Sequence, residues 1–130
     1  MGNPLEPLAD AMVAALERYD DVGLAELLSP DARHWINLTG VEQSGEAMCA
    51  IVAMERGHVA EATFTTRSRQ FGDDHFVLQL TVDGTTTNGT SYHIPVCLVV
   101  SAKDGLITRV DEYANFPDVQ PLLADLGLNL

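Results

Sequence analysis

Positive charge is scarce in this chain: 7 Lys and Arg stand against 19 Asp and Glu, for a formal net charge of -12 over 130 residues. Phosphate backbones and anionic lipid surfaces are gripped through basic patches, so nucleic-acid and membrane-surface binding are excluded as main functions. Long apolar runs are missing as well. The longest, Ile94–Val100, falls far short of the ~20 residues of a membrane-spanning helix. No basic segment followed by an apolar core opens the sequence, which leads to the expectation of a cytoplasmic protein. Cysteine is limited to Cys49 and Cys97, with no Cys-x-x-Cys pair, and both are expected to be small buried hydrophobes. The four histidines form no His-x-x-x-His or His-Glu-x-x-His spacing, so no metal site is expected. Linkers, repeats and low-complexity stretches are absent too, and residues 1–130 are expected to form one domain.

What is present is ordinary globular patterning, with 46% hydrophobic residues. Leu5, Leu8, Met12, Ala15, Leu16 and Tyr19 recur at helical spacing and predict an amphipathic helix from about Pro4 to Tyr19. Asp20 or Asp21 can cap a short second helix carrying Leu24, Leu27 and Leu28, which stops at Ser29-Pro30. Ala32–Leu38 reads as a strand, with Trp35 and Asn37 on one face and His34, Ile36 and Leu38 on the other. A third helix starts at Ser44, carries Met48, Ile51 and Val52, and ends at Gly57. Strands follow over Thr63–Phe71, His75–Val82, Tyr92–Ser101 and Leu106–Ala114, and a Leu-rich helix closes the chain. Short turns between consecutive strands imply an antiparallel sheet with helices on one face, an α+β arrangement.

The last strand carries the sharpest chemical hint. After the turn Asp104-Gly105, alternation puts Leu106, Thr108, Val110, Glu112 and Ala114 on one face and Ile107, Arg109, Asp111, Tyr113 and Asn115 on the other. The first face should be buried. A carboxylate there costs several kcal/mol unless it is paired, hydrogen-bonded or protonated. Glu112 is therefore the residue with the strongest claim to a function. The plainer alternative is a strand-end carboxylate that pairs with Arg109 or is turned outward by a bulge.

Asp104-Gly105-Leu106-Ile107-Thr108-Arg109, then Glu112-Tyr113 and Asn115, together with Gly89-Thr90-Ser91-Tyr92, resemble the nuclear transport factor 2-like superfamily. Within it, the likeness is to the SnoaL-like polyketide cyclase and limonene epoxide hydrolase branch. The resemblance implies a cone-shaped curved antiparallel sheet with the N-terminal helices packed on its concave face, a cystatin-like α+β barrel. It implies that Glu112 is a catalytic base, and that Trp35 and Asn37 match an aromatic-and-Asn pair that holds the attacking water. Taken singly, Trp35 reads as core and Asn37 as a strand-to-loop residue. The hydrolases' Arg and Asp, two apart on a middle strand, fall on Gln79 and Thr81, which supply neither charge nor acid.

Two functions from different classes follow. The first is a cofactor-free isomerase, cyclase or hydrolase acting on a small apolar molecule (polyketide-, terpenoid- or steroid-like), with Glu112 as base and Asn37 and Trp35 beside it. Ile94, Val96, Val110, Ala114, Met48 and Ile51 would line its pocket. The second is a non-catalytic ligand-binding or dimerisation domain. A homodimer is expected through the outer sheet face, which carries His93, Cys97 and Val99.

Overall fold

The computed structural model describes residues 2–128. In chain order they form α1 (Glu6–Glu17), α2 (Asp21–Leu27), β1 (Leu28–Ile36), β2 (Glu42–Ser44), α3 (Gly45–Arg56), β3 (Val59–Phe71), β4 (His75–Thr86), β5 (Ser91–Lys103), β6 (Leu106–Ala114) and α4 (Phe116–Asp125). No helix among these residues is long and apolar enough to cross a membrane.

Local chemistry sets the helix ends. The Asp20 carboxylate accepts from Gly23 N and the Ser44 hydroxyl from Ala47 N, each satisfying a donor that the first helical turn leaves free. At the end of α1, Asp20 N donates to Ala15 O and Tyr19 N to Leu16 O, the paired bonds of a Schellman cap. That cap needs a left-handed residue, and the position is filled by Tyr19, at φ 50°, where glycine is usual. Arg56 holds the turn to α3 by donating to Tyr19 O at 2.8 Å and to Asp21 Oδ1 at 2.5 Å.

The six strands form one curved, unclosed sheet in the order β2-β1-β6-β5-β4-β3. Every pairing is antiparallel except β1 with β6, which run parallel, so the expected antiparallel sheet is in fact mixed. The parallel pair arises because the chain enters the sheet at β1, leaves it after β2 for α3, and returns at β3 on the opposite edge, from which the meander leads β6 back to β1. Asp104 (φ 53°) and Gly105 (φ 79°) make the tight β5–β6 turn.

One expected phase is corrected. Arg109 pairs with Ser101 and Ile107 with Ala102, so Thr108 is an extra residue on β6. This bulge turns Ile107 fully into the core, instead of onto the outer face with Arg109 and Asp111. Beyond it, Val110, Glu112 and Ala114 keep the inward phase expected of them.

The core lies between the concave sheet face and the helices. Ala9, Met12 and Ala15 of α1, Leu24 of α2, and Met48 and Val52 of α3 pack against Phe76, Leu78, Leu80, Leu98 and Val100. Each large side chain so buried contributes about 1.5–3 kcal/mol. Asp10–Arg69 adds an ion pair between α1 and β3 at the surface. Cys49 is buried; Cys97 is only half-buried, because odd positions of β5 face outward. A second cluster, Val82, Tyr92, Ile94 and Leu122, joins α4 to the far end of the sheet.

Candidate active site

The helices do not fill the concave face completely. They leave a cavity of about 250 Å³ whose wall is mostly aliphatic. Met48 and Ile51 of α3, Ile94 and Val96 of β5 and Val110 of β6 line it; Ala114 does not, and packs instead beside the Val82–Leu122 cluster. From α4, Val119, Leu122, Leu123 and Leu126 form one side. No Lys or Arg lines the cavity among the described residues. Nor do these residues hold any His, Cys, Asp and Glu cluster suited to a metal ion.

Six polar side chains break the aliphatic wall: Tyr19, His34, Thr39, Glu55, Tyr92 and Glu112. Glu112 faces inward from β6 and lines the cavity. It does not pair with Arg109, whose guanidinium goes to Asp111 and Glu42 on the outer face. Its partner is His34, whose Nε2 lies 3.0 Å from Glu112 Oε1. In the parallel pairing His34 is level with Val110 and Ile36 with Glu112, so the two side chains come from neighbouring strands on the same face. His34 is 4% exposed, and its Nδ1 is 2.8 Å from the Gln43 amide nitrogen. Glu112 Oε2 has no hydrogen-bond partner among the described residues.

Glu55 lines the cavity from α3 and makes no side-chain hydrogen bond among the described residues. Burial in this apolar setting, and secondarily the nearby Glu112 carboxylate, raises its carboxyl to about 8. At neutral pH Glu55 is thus largely the neutral acid, able to donate a hydrogen bond.

Tyr19 and Tyr92 complete the polar set, their hydroxyls 3.5 Å apart. Burial, and then the neighbouring Tyr92 hydroxyl, pushes the Tyr19 phenol far up. Burial also raises Tyr92. Both remain protonated donors at any ordinary pH. The left-handed backbone at Tyr19 costs roughly 1 kcal/mol or more. It aims the ring into the cavity, where it meets Phe64 edge-on at 6.1 Å between centroids.

Trp35 and Asn37 are not brought to this cavity. β1 buries Ala32 and His34, so the odd residues turn outward. Trp35 packs edge-on against Tyr113, at 5.3 Å between centroids. Asn37 is exposed and braces the end of β6, donating to Ala114 O at 3.0 Å and accepting from Ala114 N at 2.9 Å. Its amide continues the β1–β6 ladder one step past Ile36. Gln79 and Thr81 likewise face away, because Leu78, Leu80 and Val82 take the inner face of β4.

His34, Glu55 and Gln43 are the residues that sequence reasoning missed. His34 shares its phase with Ile36 and Leu38. Glu55 lies seven residues after Met48 and four after Ile51, on the same helical stripe. Each shares an apolar phase, but hydrophobicity alone marks neither as facing a cavity. Gln43 stands on a three-residue strand that no periodicity marks.

No curated protein matches the sequence. Solved structures match its fold. A hypothetical protein with a ketosteroid isomerase-like fold from Catenulispora acidiphila, in complex with trimethylamine, has a TM-score of 0.77 at 18% identity, covering 98% of this chain and 96% of that one. IdmH of Streptomyces antibioticus, provisionally described as a polyketide cyclase, has a TM-score of 0.78 at 17% identity, covering 97% and 100%. An epoxide hydrolase of the limonene type from M. tuberculosis has a TM-score of 0.72 at 19% identity, covering 93% and 90%. The model of the SnoaL-like domain matches residues 9–110, most of the chain, and on that match the protein belongs to the SnoaL-like domain family.

Proposed function

We propose that this protein is a cofactor-free isomerase or cyclase that moves a proton next to a carbonyl of a small, neutral, largely apolar substrate. The observation that supports it is that two carboxyl groups in different surroundings, Glu112 and Glu55, line one apolar cavity. Glu112 accepts a hydrogen bond from His34, while Glu55 is kept protonated. A carboxyl kept neutral by burial, beside one that is hydrogen-bonded to an imidazole, supplies a site with an acid and a candidate base. Glu112 takes the proton from the carbon beside the carbonyl, and the electron pair moves onto the carbonyl oxygen. Neutral Glu55 and the Tyr19 and Tyr92 phenols donate to that oxyanion. Glu112 then returns the proton to the same carbon or to another carbon of the conjugated system. The cationless wall disfavours anionic substrates, which would arrive without a counter-charge.

Neutral Glu55 also supplies the acid that epoxide opening requires and that β4 lacks, so a hydrolase is the second reading. Incubation with apolar cyclic ketones in deuterium oxide tests the first. Wild type is expected to exchange the protons beside the carbonyl faster than buffer, and Glu112→Gln to bind the same ketones without exchanging them. Equal exchange by wild type and Glu112→Gln would remove Glu112 as base. Ketones bound without exchange, and epoxides bound without incorporation of labelled water into a diol, would leave a ligand-binding domain.

A further inference from the structure

We propose that Gln43 is a positioning residue: its amide donates to His34 Nδ1, fixes the imidazole as the Nε2–H tautomer, and so commits Glu112 Oε1 to a hydrogen bond while leaving Oε2 as the basic atom. This inference rests on the reading of Glu112 as the base. It starts from two distances. The Gln43 amide nitrogen lies 2.8 Å from Nδ1, and Nε2 lies 3.0 Å from Glu112 Oε1. An amide NH2 only donates, so the nitrogen it meets carries a lone pair and the ring proton sits on the other one. That proton points at Glu112, and an imidazole N–H is matched by a carboxylate acceptor. His34 therefore holds no lone pair toward the cavity and does not compete as a base. The proton taken from substrate goes to the free Glu112 oxygen.

The backbone keeps Gln43 in place. It is level with His34 in the β1–β2 ladder. Its neighbours are tied on both sides: Glu42 is ion-paired with Arg109, and Ser44 caps α3 through Ala47 N at 3.1 Å. The titratable groups around the imidazole are Glu112 from β6 and, lining the same cavity, Glu55 from α3. Arg33 and Glu42 are exposed on the flanking positions. A short strand that looks like a mere edge thus carries the residue that sets the proton's place.

The test needs no substrate. In nitrogen-15-labelled wild type at neutral pH, long-range proton–nitrogen correlation is expected to show His34 with an unprotonated Nδ1 and a protonated Nε2. Gln43→Met keeps the bulk and removes the donor, and Gln43→Ala removes both; each is expected to convert His34 to a mixture of tautomers with the sheet intact by circular dichroism. A protonated Nδ1 with a bare Nε2 in wild type overturns the proposal, and so does an unaltered Nε2–H tautomer in both variants. These outcomes are separate from the ketone exchange experiment. Failure of Glu112→Gln to stop exchange removes the base reading and leaves the tautomer result standing.

Discussion

Gly84 stands directly opposite Tyr92 in the β4–β5 ladder, and a Cβ built on Gly84 would fall 2.3 Å from the Tyr92 Cζ and Oη. The aromatic ring lies across the bare backbone, as cross-strand rings do over strand glycines. Gly84→Ala is therefore expected to push Tyr92 off its seat and open its contact with Tyr19. Overpacking of this kind costs about 1–3 kcal/mol. Urea unfolding would show a lower midpoint, and a Tyr92→Ala background should largely erase the penalty. A penalty that persists there would place the clash elsewhere.

Glu55 gives the fold an unusual pH dependence. Its carboxyl titrates near 8 when folded, far above an unfolded glutamic acid. Between those two values the folded state keeps a proton that the unfolded chain has lost. The Glu55 contribution to stability is thus full in acid, falls as pH rises through the interval, and levels off above about 8. The slope is at most about 1.4 kcal/mol per pH unit. Glu55→Gln is expected to flatten it and to be the more stable protein at pH 9. Equal pH slopes for the two in thermal melts would show Glu55 ionised in the cavity.

His34 shields the inward carboxylate. His34→Leu removes the hydrogen bond to Glu112 and strands the Gln43 amide beside an apolar side chain. Losing a partner of a buried polar group costs about 1–3 kcal/mol. The expected result is a lower urea midpoint with an unchanged slope. Glu112→Gln, which still offers an amide oxygen to Nε2, should lose much less. The reverse order would mean that His34 is held by packing alone.

The wall that α4 contributes hangs on one latch. Thr86 Oγ1 donates to Asp125 Oδ2 at 2.5 Å, and hydrogen bonds from Thr86, Thr90 and Asn88 hold the Asp125 carboxyl below the usual range. That contribution is present above the unfolded value and is lost as pH falls through the folded one. Asp125→Ala is expected to speed amide exchange across α4 at neutral pH and leave β4 and β5 protected. Unchanged exchange in α4 would show that its leucines hold it unaided.

Glu112 could be read from the sequence because Val110, Glu112 and Ala114 lie past the bulge, where simple alternation holds. Ile107, before it, could not, since one extra residue inverts every face. Trp35 and Asn37 failed for a different reason. β1 carries large apolar groups in both phases, Trp35 in one and Ile36 and Leu38 in the other, and hydrophobicity alone does not choose between them. The choice is made by the parallel neighbour β6, a contact 78 residues away at His34 and Glu112. Glu55 was hidden by its own chemistry. A carboxyl on an apolar helical stripe looks exposed until the fold shows that it lines a cavity. The β3–β6 meander and the helix caps at Asp20 and Ser44 were legible because each follows from local residue pattern.

The parallel pairing of β1 with β6 also fixes when the molecule can be finished. As the chain leaves the ribosome, β1 has only the three-residue β2 beside it, and its other edge waits for the last strand. Closing so long a loop is slow, and an open edge is a template for wrong partners meanwhile. Nascent chains that stop short of Leu106 hold His34 and Gln43 but lack the Glu112 that His34 meets. Joining β1 to the rest of the sheet therefore waits for β6, and a protein split between β5 and β6 should stay inert until the missing strand is returned.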